Sequence, residues 1–234
     1  MSVNFIFGTK AQAIKMFPIL KSAQSRGLDY SFILTGQHKE TLDDLMRDFG
    51  VKNPDHVLCN PRDVSSLWDT ASWSLSFFQN SYTRRRRLFP DKGVAVVHGD
   101  TLSTLYGSII GRLYGLDVAH VEAGLRSGSL LDPFPEEINR ILTSRLSKIH
   151  FCAGEWACSN INGGKIINTG FNTLMDSLQQ ALKSPVEMEL DVPGEYAVCS
   201  IHRFENIQSV KTLSYIIERI RETARDTPIV FVTH

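Results

Sequence analysis

Short apolar runs alternate along the chain with stretches whose apolar positions recur every three or four residues. That alternation predicts a parallel sheet crossed by helices. The first unit is a strand over Asn4 to Phe7, a Gly8-Thr9 turn and a helix over Ala11 to Arg26. Ile14, Phe17, Ile19 and Leu20 face the sheet, and Gly27 ends the helix in the conformation glycine tolerates best. A strand at Ser31 to Leu34 leads through Thr35-Gly36-Gln37-His38 to a helix over Glu40 to Phe49, closed by Gly50. Residues 51 to 64 read as irregular. The next helix, from about Ser65 to Arg87, carries Trp68, Leu75 and Phe78 at spacings that can share a face. Gly93 to Val97 is a continuous apolar run, expected of a strand covered on both faces.

The rhythm continues with a helix at Thr101 to Tyr114, a strand at Val118 to Glu122 and a long loop from Ala123 to Phe134. A helix at Pro135 to Leu146, a strand at Ile149 to Cys152 and a helix from Glu155 follow. A strand at Ile166 to Thr169 and a helix at Thr173 to Leu182 bring the strand count to six, about what one doubly wound domain requires. Two prolines and acidic side chains then break the pattern. The reading is a Rossmann-like α/β domain over residues 1–183, a linker over 184–194, and the start of a second, incomplete Rossmann-like domain over 195–234. In that last part a strand at Tyr196 to Ser200, a helix near Ser209 to Arg225 and a strand at Ile229 to Val232 restart the alternation.

Length sharpens this division, since 234 residues at about 150 per domain make roughly 1.6 domains. An apolar fraction of 42% with 21% charged residues is that of a globular protein, which excludes disorder and fibrous repeats. Twenty-five basic residues balance 25 acidic ones, against a nucleic-acid or membrane-surface binder. No apolar run approaches the roughly 20 residues of a membrane span, and the amino terminus has no basic stretch of a secretory signal. Cys59, Cys152, Cys158 and Cys199 have no paired spacing, so they read as reduced thiols of a cytoplasmic protein without a zinc site. The run Arg84 to Arg87 reads as a solvated helix end, and Trp68 and Trp73 as core or subunit-interface residues.

Ligands of open α/β sheets bind beyond the carboxyl ends of the strands, and here those positions are polar. They comprise Gly8, Thr9, Lys10 and Lys15; Gln37 and His38; His98, Gly99 and Asp100; Glu122 and Arg126; Glu136 and Glu137; and His202-Arg203. The first turn lacks both the dinucleotide and the P-loop fingerprint. It can be a phosphate site built from free N–H groups and lysines, or simply a tight turn. Asp100 can cap the following helix or serve chemistry. Glu122 ends an apolar strand beside Ala123-Gly124 and needs a partner, which Arg126 or a ligand could supply. Glu136 and Glu137 fall where a helix dipole favours negative charge. Several carboxylates and a histidine in one cleft suit general acid–base chemistry, with no metal spacing and no acyl-transfer motif.

Six segments occur in order: GTKAQAIKM (8–16), TGQH (35–38), HGDTLST (98–104), HVEAGLRSG (120–128), PFPEEINR (133–140) and HRFEN (202–206). Together they resemble the UDP-N-acetylglucosamine 2-epimerases, from residue 5 to the end. The resemblance implies two Rossmann-like domains in the glycosyltransferase-B arrangement and interconversion of UDP-GlcNAc and UDP-ManNAc for surface polysaccharide. It further implies a homodimer acting on a UDP-sugar without cofactor or metal. Chemistry in that family runs by elimination of UDP to a 2-acetamidoglucal and its re-addition after protonation on the other face. Carried onto this sequence, Asp100, Glu122 and Glu136 form the acid–base set, with His202 supporting the leaving group. Lys10, Lys15, Gln37, Arg126 and Arg203 contact substrate, Lys15 supporting the phosphates. Gln37, Glu137, Arg203 and His234 match places where some members bind a second, activating UDP-GlcNAc.

Two features depart from the family pattern. Lys10 stands where an arginine is usual and loses its planar fork. The family's second domain also continues well beyond the segment ending at His234. A hydrolysing relative that releases ManNAc and UDP, and a non-catalytic epimerase lobe, are the competing readings; a nicotinamide oxidoreductase ranks below them for lack of a glycine fingerprint.

Overall fold

Seven parallel strands carry the first part of the chain in a computed structural model that describes residues 2–37, 42–61, 66–183, 194–201 and 209–232. They are β1 (Ser2–Phe7), β2 (Tyr30–Leu34), β3 (His56–Val57), β4 (Gly93–His98), β5 (Asp117–Val121), β6 (Ile149–Cys152) and β7 (Lys165–Asn168). The helices are α1 (Lys10–Ser25), α2 (Asp43–Phe49), α3 (Leu67–Thr83), α4 (Arg85–Leu88), α5 (Leu102–Leu113), α6 (Glu136–Leu146), α7 (Glu155–Ser159) and α8 (Leu174–Lys183). The spatial order is β3-β2-β1-β4-β5-β6-β7, so the chain winds one way from β1 and the other way from β4. This is the doubly wound Rossmann-like α/β fold that the alternation predicted.

Strand side chains alternate between the two faces, and each face has its own core. Phe5, Phe7, Phe32, Val96, Ala119 and Val121 pack with Met16, Phe17 and Leu20 of α1 and with Met46 and Phe49 of α2. Ile6, Ile33, Ala95, Val97 and Val118 pack with Trp73 and Phe77 of α3 and Ile110 of α5. Each fully buried large side chain contributes about 1.5–3 kcal/mol, so the two layers fix the strand register firmly. On α1 it is Ala13, Met16, Phe17 and Leu20 that are buried, while Ile14 and Ile19 lie at the margin.

Three expectations change. The stretch over 51–64 contains β3, paired to Ile33 and Leu34; two residues are too few for periodicity to register. The long third helix breaks at Arg84, which lets Leu88 and Phe89 enter the second core. The inward face of α3 is set by Trp73 and Phe77, with Tyr106 stacked on Trp73 at 5.4 Å. Trp68 and Leu75 point outward at 86% and 71% exposure, and only Phe78 of the expected stripe reaches the core. The arginine run is a surface feature, with Arg85 lying over the Tyr82 ring and Arg84 donating to the Val57 carbonyl.

The chain divides into two compact units, Met1–Ser184 and Pro185–His234. Within the second, β8 (Ala197–Ser200) and β9 (Ile229–Val232) pair in parallel, and α9 (Val210–Thr223) forms their crossover. The Ser209 hydroxyl caps α9 by accepting from Thr212 N.

Candidate active site

Between β1 and β4 the strand order reverses, and the polar residues collect around that switch point. The β1–α1 turn is braced from within. Gln12 Oε1 accepts from the Gly8 and Thr9 amides at 3.0 and 3.2 Å, while its Nε2 donates to the His98 carbonyl at the end of β4. Two of the N–H groups on which the phosphate-site reading of this turn drew are therefore already used, which favours the tight turn. Lys10 is exposed at the first residue of α1.

One helical turn further on, Lys15 reaches Glu122, with Nζ at 2.7 Å from Oε2 and 3.0 Å from Oε1. Asn172, in the β7–α8 connection, donates its side-chain amide to Glu122 Oε2. His98 Nε2 lies 3.8 Å from the same oxygen. Glu122 follows β5 with φ of +65°, alone among the described non-glycine residues in the left-handed region. Such a backbone costs about 1–3 kcal/mol and persists where surrounding contacts hold it, commonly at functional sites. On one side the carboxylate borders an apolar cavity of about 360 Å³ lined by Phe5, Val96, Val121 and Phe151. Burial pushes its pKa up. The His98 ring, the Lys15 ammonium and the Asn172 amide more than offset this and hold the carboxyl below its ordinary value. Burial lowers His98 itself to about 4, so at neutral pH the ring is uncharged and the stabilising charge is Lys15.

Asp100 stands in the β4–α5 turn. Thr101 caps α5, accepting from Thr104 N, so Asp100 is not the cap residue. Its carboxylate instead receives Arg140 from α6 at 2.5 Å, and its carbonyl accepts from Asn139 at 2.8 Å. Gly99 adjoins Glu122: a Cβ there would sit 3.7 Å from Oε1, so the Asp100 turn and Glu122 border the same space. Glu136 opens α6, and among the described residues its Oε2 is buried without a hydrogen-bond partner.

Glu137 is only 3% exposed; it accepts from the Ser127 amide at 3.1 Å and pairs with Arg140 at 3.3 Å and Arg126 at 3.9 Å. Arg126 therefore serves Glu137 and the Ser144 hydroxyl, and the partner of Glu122 is Lys15. Gln37 Oε1 accepts from the amide and hydroxyl of Ser103 in the first turn of α5. His202, Arg203 and His234, with His38, lie outside the described residues. No cysteine is in a disulfide, and burial beside Cys158 pushes the Cys152 thiol up to about 11.

Four contributors escaped sequence reasoning: Gln12, Asn139, Arg140 and Asn172. Arg140 carried a signal, since it lies three and four residues beyond Glu137 and Glu136 on one helix. Gln12 carried one too, since Thr9-Lys10-Ala11-Gln12 has the spacing of a capping box, whereas Asn172, which meets Glu122 across fifty residues, carried none.

The arrangement thus joins two carboxylates at one switch point, Glu122 paired to a lysine and Asp100 to an arginine, with Glu136 opening the helix that supplies the arginine. Residues 21–234 match the family model for UDP-N-acetylglucosamine 2-epimerase. The UDP-N-acetylglucosamine 2-epimerase of Bacillus subtilis is 32% identical across all of this chain, which spans 62% of that relative. The one from Methanocaldococcus jannaschii is likewise 32% identical, with 66% of its length covered. The crystal structure of the M. jannaschii UDP-GlcNAc 2-epimerase in complex with UDP-GlcNAc and UDP superposes with a TM-score of 0.84, at 30% identity and 66% coverage. That from Neisseria meningitidis bound to UDP-GlcNAc gives 0.81, at the same identity and coverage. The chain belongs to the UDP-N-acetylglucosamine 2-epimerase family.

Proposed function

We propose that the protein interconverts UDP-GlcNAc and UDP-ManNAc, or a closely related pair, in the cytoplasm for surface polysaccharide synthesis. The observation that carries the reading is the pair Glu122 and Asp100 at the switch point, each held by its own cation, and we add Glu136, at the start of the helix that supplies Arg140, as the third member of the set. Epimerisation at sugar carbon 2 needs such a set. One group takes the carbon-2 proton as the carbon 1–oxygen bond to UDP breaks, leaving a carbon 1–carbon 2 double bond. Another returns a proton on the opposite face before UDP re-adds. Glu122 is held anionic by a neighbouring cation, as a proton acceptor should be, and Lys15 beside it can also meet developing charge on the departing diphosphate.

His202 assists that departure, and Lys10, Gln37, Arg126 and Arg203 complete the substrate contacts. Gln37, Arg203 and His234 are assigned to a second UDP-GlcNAc. Glu137, committed to Ser127, Arg126 and Arg140, is better suited to anchoring the loop than to meeting that ligand. A glycosyltransferase-B pair of domains and a homodimer complete the proposal. The dimer is supported by Trp68, Leu75 and Tyr82, which recur every seven residues on the outer face of α3 and are all exposed. Product analysis tests the reaction: protein expressed from its complete gene should convert UDP-GlcNAc into UDP-ManNAc with the sugar–diphosphate bond intact. Accumulation of free ManNAc and UDP would instead establish the hydrolysing reaction.

A further inference from the structure

Asn139 and Arg140 are consecutive on α6, so their side chains diverge by about 100° around the helix axis. Both nevertheless reach residue 100, Asn139 at its carbonyl and Arg140 at its carboxylate. The same turn is fixed from the other side by the His120 ring, whose Nε2 lies 2.7 Å from the Gly99 carbonyl. With the main chain held on both sides, the remaining freedom of Asp100 is the rotation of its own carboxylate. Arg140 sets that rotation.

The guanidinium does a second thing at once. While one terminal nitrogen holds Asp100 Oδ2 at 2.5 Å, the other lies 3.3 Å from Glu137 Oε2, which itself accepts from the Ser127 amide at 3.1 Å. A continuous polar chain therefore runs from Asp100 through Arg140 and Glu137 to the 123–134 loop. The planar fork gives each carboxylate its own nitrogen at a fixed separation, whereas a lysine ammonium offers a single nitrogen on a flexible stem. The Asp100 side chain is about one-quarter exposed, and an ion pair in that setting contributes little to stability. Its value lies in orientation.

We infer that Arg140 is a positioning residue that aims the Asp100 carboxylate and couples it, through Glu137, to the loop bearing Ser127. The inference rests on the proposed acid–base role of Asp100. Arg140→Lys in protein from the complete gene keeps the charge and loses the fork. It should lower kcat for UDP-GlcNAc epimerisation by about thirtyfold, the scale of a misplaced reacting group, while KM stays within about threefold. Hydrogen exchange on the same variant should show faster exchange at the Ser127 amide, while the 99–102 turn, still held by Asn139 and His120, keeps its protection. A kcat within about threefold of the parent, or Ser127 protection equal to the parent's, would overturn the inference.

Absence of epimerisation in the parent protein would remove the functional reading alone, and exchange would then decide the coupling by itself. Should Arg140→Lys fail to fold, Asp100→Asn cuts the chain from its other end. It too must loosen the Ser127 amide; unchanged protection there overturns the coupling equally.

Discussion

Glu122 is built against its own preferences. A glutamate with φ of +65° sits in backbone that side chains avoid, and it is nearly buried beside an apolar cavity. Lys15, Asn172 and the strand geometry of β5 hold it there. Its neighbour His98 is equally unwelcome to charge. The ordinary imidazole pKa of 6.5 falls to about 4 in the folded chain because burial penalises the cation. The sign of the consequence follows. Above pH 6.5 the ring is neutral folded or unfolded; below it the unfolded chain takes up a proton that the folded chain refuses until about pH 4. Stability is therefore lost as pH falls across that window, and His120, lowered to about 3 by burial, adds to the same slope. Urea midpoints measured from pH 7 to pH 4 should decline less steeply in His98→Asn than in the parent; parallel slopes would contradict this account of the ring.

At the scale of elements, the site depends on how closely the loop after β5 can approach α7. Gly124 has φ of +83°, and a Cβ there would lie 2.0 Å from the Ala157 carbonyl oxygen. Gly27, which follows the carboxy-terminal cap of α1, has φ of +65° but open space around it. Gly27→Ala should cost about 1 kcal/mol through backbone strain alone, whereas Gly124→Ala should cost at least twice that, because α7 or the loop must shift. Urea unfolding of the two variants checks it, and equal losses would show that the approach to α7 is not tight.

Such close approaches are what sequence reasoning cannot see. Strands β1, β2, β4, β5, β6 and β7 were legible because apolar runs between polar turns announce them, and α5 and α6 because their termini carry Thr101 and Pro135. The inward face of α3 was misjudged: Trp68, Leu75 and Phe78 satisfy helical spacing as well as Trp73 and Phe77 do, and only the sheet chooses between them. In the site, the carboxylates were legible as polar endings of apolar strands. Their partners were not, since Lys15 meets Glu122 across 107 residues and Arg140 meets Asp100 across 40.

For the whole molecule, zero net charge is consistent with a small anionic substrate. What such a ligand requires is a few cations placed locally, and the first unit gathers Lys15, Arg126 and Arg140 among its carboxylates. This chain spans 62% of the Bacillus subtilis relative, so the chemistry is best tested in protein from the complete gene. On the proposed reaction, proton transfer at sugar carbon 2 passes through the carboxylates at this switch point. Its most direct test is the rate at which deuterium from heavy water enters carbon 2 of an intact UDP-sugar, followed by NMR in the parent and in Glu122→Gln. Ready exchange is expected in the parent, and a rate at least about a hundredfold lower in the variant. Exchange in Glu122→Gln at the parent's rate would contradict that route.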